Sequence, residues 1–381
     1  YKENDGSVPE LHASVLPKAF QGVTSKIVIS SGGAAGGVVT EGMGYAIMVE
    51  GYQSVRDNKE ALANAIPLIK GWLGMVDGPK EIWGKEAEHP LGGGSGKKES
   101  ATEVDTAPYG VSAIVGGSGT PGSSGVAAWK YPTNQCAPFC RGSATDGDED
   151  AVLGMIYVAH ALGHQKDFVD MVMRAVISFA SADLGFPDLY RTLPDGTKVF
   201  VPKGGSDWGG LLPGGGKYKT SQQPWCYNPS YFAPGHYRLF RDFVSKHWES
   251  SFDDYLPPHL DGSKSTRKEL MEAFDGTVIA GYNILYHASC SSGAVANWVG
   301  VKAACDSDDD ISCEGVPWAT TPSVGEDGEC TASGTTFGSY GPDASRTPWR
   351  IAMDYILYTQ EATDVPMYDR SGKRQTSIVF N

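Results

Sequence analysis

From Lys59 to about Gly74, the apolar residues Leu62, Ala65, Ile66, Ile69, Trp72 and Leu73 recur at three- and four-residue steps. This spacing places them along one stripe of a helix, and the stripe needs a second helix to cover it. Asp150 to Leu162 reads differently, because Val152, Met155, Ile156, Ala159 and Leu162 leave it apolar almost all round. Lys166 to Ala180 returns to a narrower stripe of Phe168, Met171, Val172, Ala175, Val176 and Phe179. The order predicts a buried inner helix followed by an outer one, with the chain turning at Gly163 and His164. Similar periodicity recurs over Ser230 to Trp248, Lys268 to Ala288 and Pro348 to Thr359. Strand patterning is sparse. Its clearest instance is a small hairpin over about Tyr190 to Val201, around the turn Pro194, Asp195, Gly196. Alternating inner and outer helices predict an all-α fold; periodicity alone fits a closed α/α barrel or an open helical array.

Three stretches break the helical pattern: Asp77 to Ser143, Pro202 to Pro224 and Ser289 to Pro342, all rich in Gly, Ser, Thr, Pro and Asp. Loops this long in a compact domain are usually functional or tied down, and here they are expected to shape the ends of a substrate cleft. A chain of 381 residues could hold two average domains. Closed helical barrels run to this length as one unit, so a single domain over 1–381 is expected.

The balance of 31 Lys and Arg against 45 Asp and Glu gives a net charge of -14. That argues against a nucleic-acid partner, since duplex binding is driven by clustered cations neutralising phosphates. An acidic surface suits a neutral polysaccharide and would attract a cationic one such as chitosan. Seven cysteines are too few for a disulfide scaffold, although Cys136/Cys140 and Cys305/Cys313 are close enough in sequence for small bridged loops. No run of about 20 apolar residues exists to span a membrane. The first residue is Tyr1 rather than Met, and a secreted, extracellular protein whose signal segment was removed is the expectation.

Carboxylates carry the candidate chemistry. Glu41 lies in TEGMGYAIMVE (Thr40 to Glu50), Asp146 in ATDGDED (Ala144 to Asp150) and Asp343 in PDASRTPWR (Pro342 to Arg350). Each has a structural explanation: Glu41 complements a helix dipole, Asp146 or Thr145 caps a helix, and Asp343 precedes Pro348 at a helix start. Hydrolysis of a glycosidic bond needs an acid for the leaving oxygen and a carboxylate for the water or the anomeric carbon. Asp146, Asp148 and Asp150 alternate as in a calcium loop, but Ala151 replaces the required Gly and Tyr157 the required Glu. Gly92 to Lys98 fails the phosphate-loop pattern, and Asp306 to Asp310 reads as a solvated loop. No metal or cofactor is implied.

Together with YNPSYFAPGHYRLF (Tyr227 to Phe240), these strings resemble, in wording and order, the bacterial-type cellulases of glycoside hydrolase family 8. Thr40 stands where the family's first string has Ser. The resemblance spans Glu41 to about Tyr358 and implies a six-fold (α/α) toroidal barrel. It implies Glu41 as general acid, Asp343 as general base, Asp146 holding the sugar at the cleavage point, and Tyr231 positioning the attacking water. An acid at Glu41 must keep its proton near neutral pH, which asks for a desolvated pocket or a neighbouring carboxylate such as Asp146. Arg346 is a natural partner for the charge of Asp343. Gly42, Gly44 and Tyr45 beside Glu41 are expected to let a sugar ring approach. Trp129, Trp208 and Trp225 are the candidate stacking platforms, whereas Trp72 and Trp248 look like packing. The expected activity is inverting endo-hydrolysis of β-1,4-glucan by a monomer, with chitosan, mixed-linkage glucan and xylan as alternatives. Inversion calls for carboxyl groups roughly 6.5 to 9.5 Å apart. A non-catalytic glycan-binding protein is the reading from another class.

Overall fold

Helices dominate the computed structural model, which describes residues 1–6, 8, 16–30, 37–83, 126–127, 129–131, 143–206, 210–211, 226–289, 293–295, 297, 299–300, 316–318 and 343–375. Every sheet among these residues is a pair of two-residue strands. The all-α class therefore stands as the periodicity predicts. The chain divides into two compact units, Tyr1–Ala182 with Phe243–Arg267, and Asp183–Asp242 with Lys268–Asn381.

The first unit is built on α1 (Thr40–Ser54), α2 (Lys59–Trp83), α3 (Thr145–Ala161) and α4 (Lys166–Phe179). α1 packs chiefly on α3 and next on α2, and α3 also packs on α4. The α1–α3 contact is made by glycines one heptad apart on each helix. Gly44 faces the Gly147 backbone and Gly51 faces that of Gly154. Because both pairs advance in the same direction, the helices run parallel and their N-termini lie at one end. α3 is buried along nearly its whole length, while α4 buries Phe168, Met171, Val172, Ala175, Val176 and Phe179, together with Val169, Met173 and Ile177. Burying one such large apolar side chain contributes about 1.5–3 kcal/mol.

The turn after α3 falls where Gly163 and His164 predict it. Gly163 (φ 64) and His164 (φ 58) are both left-handed. The Gly163 N–H donates to the His160 carbonyl at 2.9 Å and the His164 N–H to that of Ala159 at 2.8 Å, the paired bonds of a Schellman C-cap. The expected loop from Asp77 to Ser143 is corrected at both ends. α2 continues through Trp83, and β4 (Lys130–Tyr131) pairs antiparallel with β3 (Val38–Val39) just before α1. A second pairing joins β1 (Lys2–Glu3) to β2 (Lys26–Ile27).

In the second unit the hairpin forms as expected: β5 (Arg191–Thr192) pairs with β6 (Lys198–Val199) around Gly196 at φ 86. Tyr368 clasps this turn by donating its hydroxyl to Asp195 Oδ2 at 2.8 Å. Leu193, Val199, Phe232, Ile284, Trp318 and Tyr368 share one buried core. The Trp318 indole N–H donates to the Asp369 carbonyl at 2.9 Å. α5 (Pro234–His247, to Asp242 in this unit), α6 (Arg267–Ala288, from Lys268), α7 (Thr347–Leu357) and α8 (Thr359–Thr363) are joined by a polar network that is buried at Arg238 and Asp354 and exposed at Glu361. Arg238 Nε donates to Asp354 Oδ1 at 2.9 Å, and the Tyr282 hydroxyl donates to Asp354 Oδ2 at 2.8 Å. Burial pushes the Asp354 carboxyl above its usual range against the pull of Arg238. Arg238 and Arg241 both also reach Glu361 Oε2 at 2.8 Å, and hydrogen bonds from Arg241 hold that carboxyl below its usual range. No helix among the described residues is long and apolar enough to cross a membrane.

Candidate active site

Glu41 and Asp146 occupy equivalent places, the first turns of the parallel helices α1 and α3. Gly147 lies against Thr40 so closely that a Cβ there would overlap the threonine. Each acid is thus the chain neighbour of one member of a contacting pair. Two helix N-termini at one end also favour carboxylates, typically by 0.3–1 kcal/mol for each terminus. Asp146, Asp148, Glu149 and Asp150 are all buried in the opening turns of α3, whereas Glu41 is half-buried. Asp146 Oδ1 accepts the Gly147 N–H at 2.9 Å. Asp148 Oδ1 accepts the Ala127 N–H at 3.4 Å, a tether in keeping with a structural part for that residue.

Two expectations are corrected here. Neither Thr145 nor Asp146 caps α3: the N-cap is Ala144, with no side-chain bond. Gly44 opens no space for a sugar, because its Cα faces the Gly147 carbonyl and the Asp150 side chain. Its smallness serves helix contact.

Tyr45 is half-buried one turn after Glu41 on the same helix. Trp129 is placed beside the start of α1, since its carbonyl accepts the Thr40 N–H at 2.9 Å. The Lys130 ammonium lies 5.7 Å from the centre of the Trp129 ring.

The second unit gathers Tyr231, Asp343 and Arg346. Asn228 caps a short 3-10 turn, Pro229–Tyr231, which sets Tyr231 in a buried position. The Tyr237 hydroxyl donates to the Tyr231 carbonyl and fixes this turn to α5. Asp343 precedes a second 3-10 turn, Ala344–Arg346, that leads directly into α7 with Pro348 in its first turn. The Asp343 carboxylate does not cap that turn. Instead Oδ1 accepts from Arg346 Nη2 at 2.7 Å. The arginine side chain is 7% exposed and the aspartate side chain 35%, so a buried cation holds a carboxylate that faces outward. The guanidinium carbon stands 5.6 Å from the Tyr231 ring centre, a cation–π distance. The Ala344 N–H donates to Asn297 Oδ1 at 2.8 Å, which anchors the turn on its other side.

Glu41, Asp146, Tyr45 and Trp129 therefore lie in the first unit, and Tyr231, Asp343 and Arg346 in the second. Trp208 and Trp225 lie outside the described residues, as do the cysteine pairs Cys136/Cys140 and Cys305/Cys313. Trp72 is fully buried, as a packing residue would be, whereas Trp248 is half-buried and its indole donates to Asp253 Oδ1 at 3.1 Å in an exposed contact. Sequence reasoning missed Ser230, Asn228 and Asn297. The first two sit inside the quoted NPSY string, where Asn before Pro could have been read as a cap. Among the described residues no group of three His, Cys, Asp or Glu side chains is placed to hold a metal ion.

No family model and no curated protein sequence matches the chain. Solved structures similar to it include a point mutant of Rex8A from Paenibacillus barcinonensis complexed with xylose, at 14% identity and a TM-score of 0.46. That likeness covers 90% of this chain and 63% of Rex8A, so the chain spans less than two thirds of that protein's length. A beta-1,3-1,4-glucanase from Paenibacillus sp. X4 is similar at 15% identity and a TM-score of 0.44, over 95% of this chain and 72% of the glucanase. A reducing-end-xylose releasing exo-oligoxylanase is similar at 13% identity and a TM-score of 0.42, over 90% and 68% of the two chains. At this level the likenesses assign no residue and no reaction to this chain, whose chemistry has to be argued from its own side chains.

Proposed function

We propose that the chain is an inverting glycoside hydrolase of the family 8 type, acting within β-1,4-glucan chains. Glu41 protonates the departing glycosidic oxygen. Asp343 takes a proton from a water that attacks the anomeric carbon from the opposite face of the ring, and Tyr231 orients that water. Asp146 holds the sugar at the point of cleavage. Arg346, Tyr45, Trp129, Trp208 and Trp225 are the residues assigned to sugar binding in this reading.

The observation that supports this reading most is the setting of Asp343. A general base has to be charged, fixed and reachable, and Asp343 is hydrogen-bonded by a buried arginine while its own side chain stays about a third exposed. An ordinary surface ion pair has two mobile, exposed partners and holds nothing in place. The four motif strings in family order add the specificity that one carboxylate cannot.

The test is product formation. The protein is incubated with carboxymethyl cellulose, lichenan, chitosan and xylan, new reducing ends are measured, and the anomer first formed is read by proton NMR. Cleavage of carboxymethyl cellulose with initial release of the α-anomer is the expected result. Release of the β-anomer first sinks the inverting assignment. Cleavage of another polymer alone moves the substrate, and binding without product on every polymer sinks the enzyme.

A further inference from the structure

We propose that Ser230 and Asn228 are positioning residues for Asp343 and act on it through Arg346. The inference rests on the reading of Asp343 as general base and adds two residues that the motif resemblance does not assign.

The bonds run in one direction. Arg346 Nη2 donates to Asp343 Oδ1 at 2.7 Å, and its Nε donates to Ser230 Oγ at 3.1 Å and, at the longer distance of 3.4 Å, to the Asp343 carbonyl, so Ser230 is the nearer of its two acceptors. The Ser230 hydroxyl in turn donates to Asn228 Oδ1 at 2.7 Å, and the same oxygen accepts the Ser230 N–H at 2.9 Å. A serine hydroxyl has one proton and two lone pairs. With its proton committed to Asn228, Ser230 can only accept from the guanidinium. The rotor that would otherwise spin is locked, and its lone pairs are aimed at Arg346.

Burial makes that lock consequential. Ser230 is 0% exposed, Asn228 2% and Arg346 6%, so none of the three can exchange its partner for bulk water. The guanidinium plane is rigid, so fixing Nε fixes the direction of Nη2 as well. Arg346 also lies over the Tyr231 ring, and Tyr231 is the residue next to Ser230. One buried arginine thus touches both the base and the ring that carries the hydroxyl assigned to the water. Loosening its Nε contact lets the two drift relative to each other, and a misplacement of an ångström at a reacting group can cost about a hundredfold in rate.

Ser230→Ala removes the hydroxyl and adds no atom. On the polysaccharide that yields reducing ends, kcat should fall about tenfold with KM within about twofold, the signature of a contact that matters in the transition state rather than in binding. The acidic limb of the kcat–pH profile should move to higher pH, and Ser230→Thr should restore both. A kcat and pH profile unchanged in Ser230→Ala, with wild type active and Asp343→Asn inactive, overturns the inference and leaves the reading of Asp343 intact. Full activity in Asp343→Asn, or an inactive wild type, overturns that reading itself. A loss that Ser230→Thr does not recover, with the acidic limb unmoved, assigns Ser230 to packing and also overturns the inference. Should Ser230→Ala fail to melt cooperatively, Ser230→Cys, whose thiol is a weak donor and acceptor, takes its place under the same criteria.

Discussion

Gly147 of α3 rests against Thr40 of α1 with no room for a β-carbon between them. A cluster of backbone contacts, rather than a layer of interlocking side chains, therefore sets the separation of the two helices that carry Glu41 and Asp146. Backbone cannot rotate aside as a long side chain can, so this separation resists adjustment.

Gly147→Ala and Gly44→Ala should each destabilise the protein by about 1–2 kcal/mol, because an overpacking cost of about 2–3 kcal/mol outweighs the gain of up to about 1 kcal/mol in helix propensity. Urea unfolding monitored by circular dichroism measures the difference. Gly163→Asn is the control: its left-handed backbone suits Asn and a Cβ there meets nothing within 4 Å, so its cost should be a few tenths of that. An unchanged midpoint in Gly147→Ala would show that the helices can part without cost.

Glu41→Gln and Asp343→Asn preserve shape and remove proton transfer. Each should lower kcat by about 10²–10⁴-fold with the melting temperature retained, as expected for general acid and base groups. Near-normal turnover in either variant removes that residue from the mechanism.

Arg238→Met strips the buried Asp354 of its cation while the Tyr282 bond remains. An uncompensated buried carboxylate is expected to cost about 3–5 kcal/mol, measurable by chemical denaturation. Replacing Arg238 and Asp354 together with apolar residues should recover much of the loss. If the double variant is no better than Arg238→Met, the network contributes more than local charge balance.

Acid should loosen the connection after α3. His160 Nδ1 and His164 Nε2 lie 3.3 Å apart, and the His164 and His247 rings are 4.8 Å apart. Burial lowers the pKa of His164, helped by Lys246 and His160, and lowers that of His247, helped by His164 and Lys246. The unfolded chain therefore binds these protons more readily than the folded one. The stabilisation is complete above the unfolded histidine value of about 6.5 and is lost as pH falls below it. The melting midpoint should drop from pH 7.5 to pH 5, and less steeply in His164→Asn, which tolerates the left-handed backbone at φ 58. Equal slopes in the two proteins would exclude the cluster as the cause.

Periodicity made much of the fold legible. The stripe from Phe168 to Phe179 and the turn at Gly163 and His164 are local signals, and both fall where the pattern puts them. Gly44 was misread because its partner is about a hundred residues away, and a glycine looks the same in sequence whether it faces a ligand or a helix. The same limit hid Ser230, whose meaning comes from Arg346 in a distant segment. The cap predicted at Thr145 or Asp146 failed because side-chain propensity for a position says nothing of what tertiary burial requires there. Tyr368 closing on Asp195 is invisible for a like reason, since the turn residues announce a hairpin but not what clasps it.

Trp72 is sealed within the first unit and Trp318 within the second, where its ring lies parallel to that of His287 at 6.5 Å. Each half of the molecule consequently contains a natural fluorophore shielded from solvent, and one of them sits next to an imidazole whose protonation quenches indole emission. Red-shifted emission would report the moment either half opens, so a heating run on single-tryptophan variants would reveal whether the two halves unfold at one temperature or in sequence.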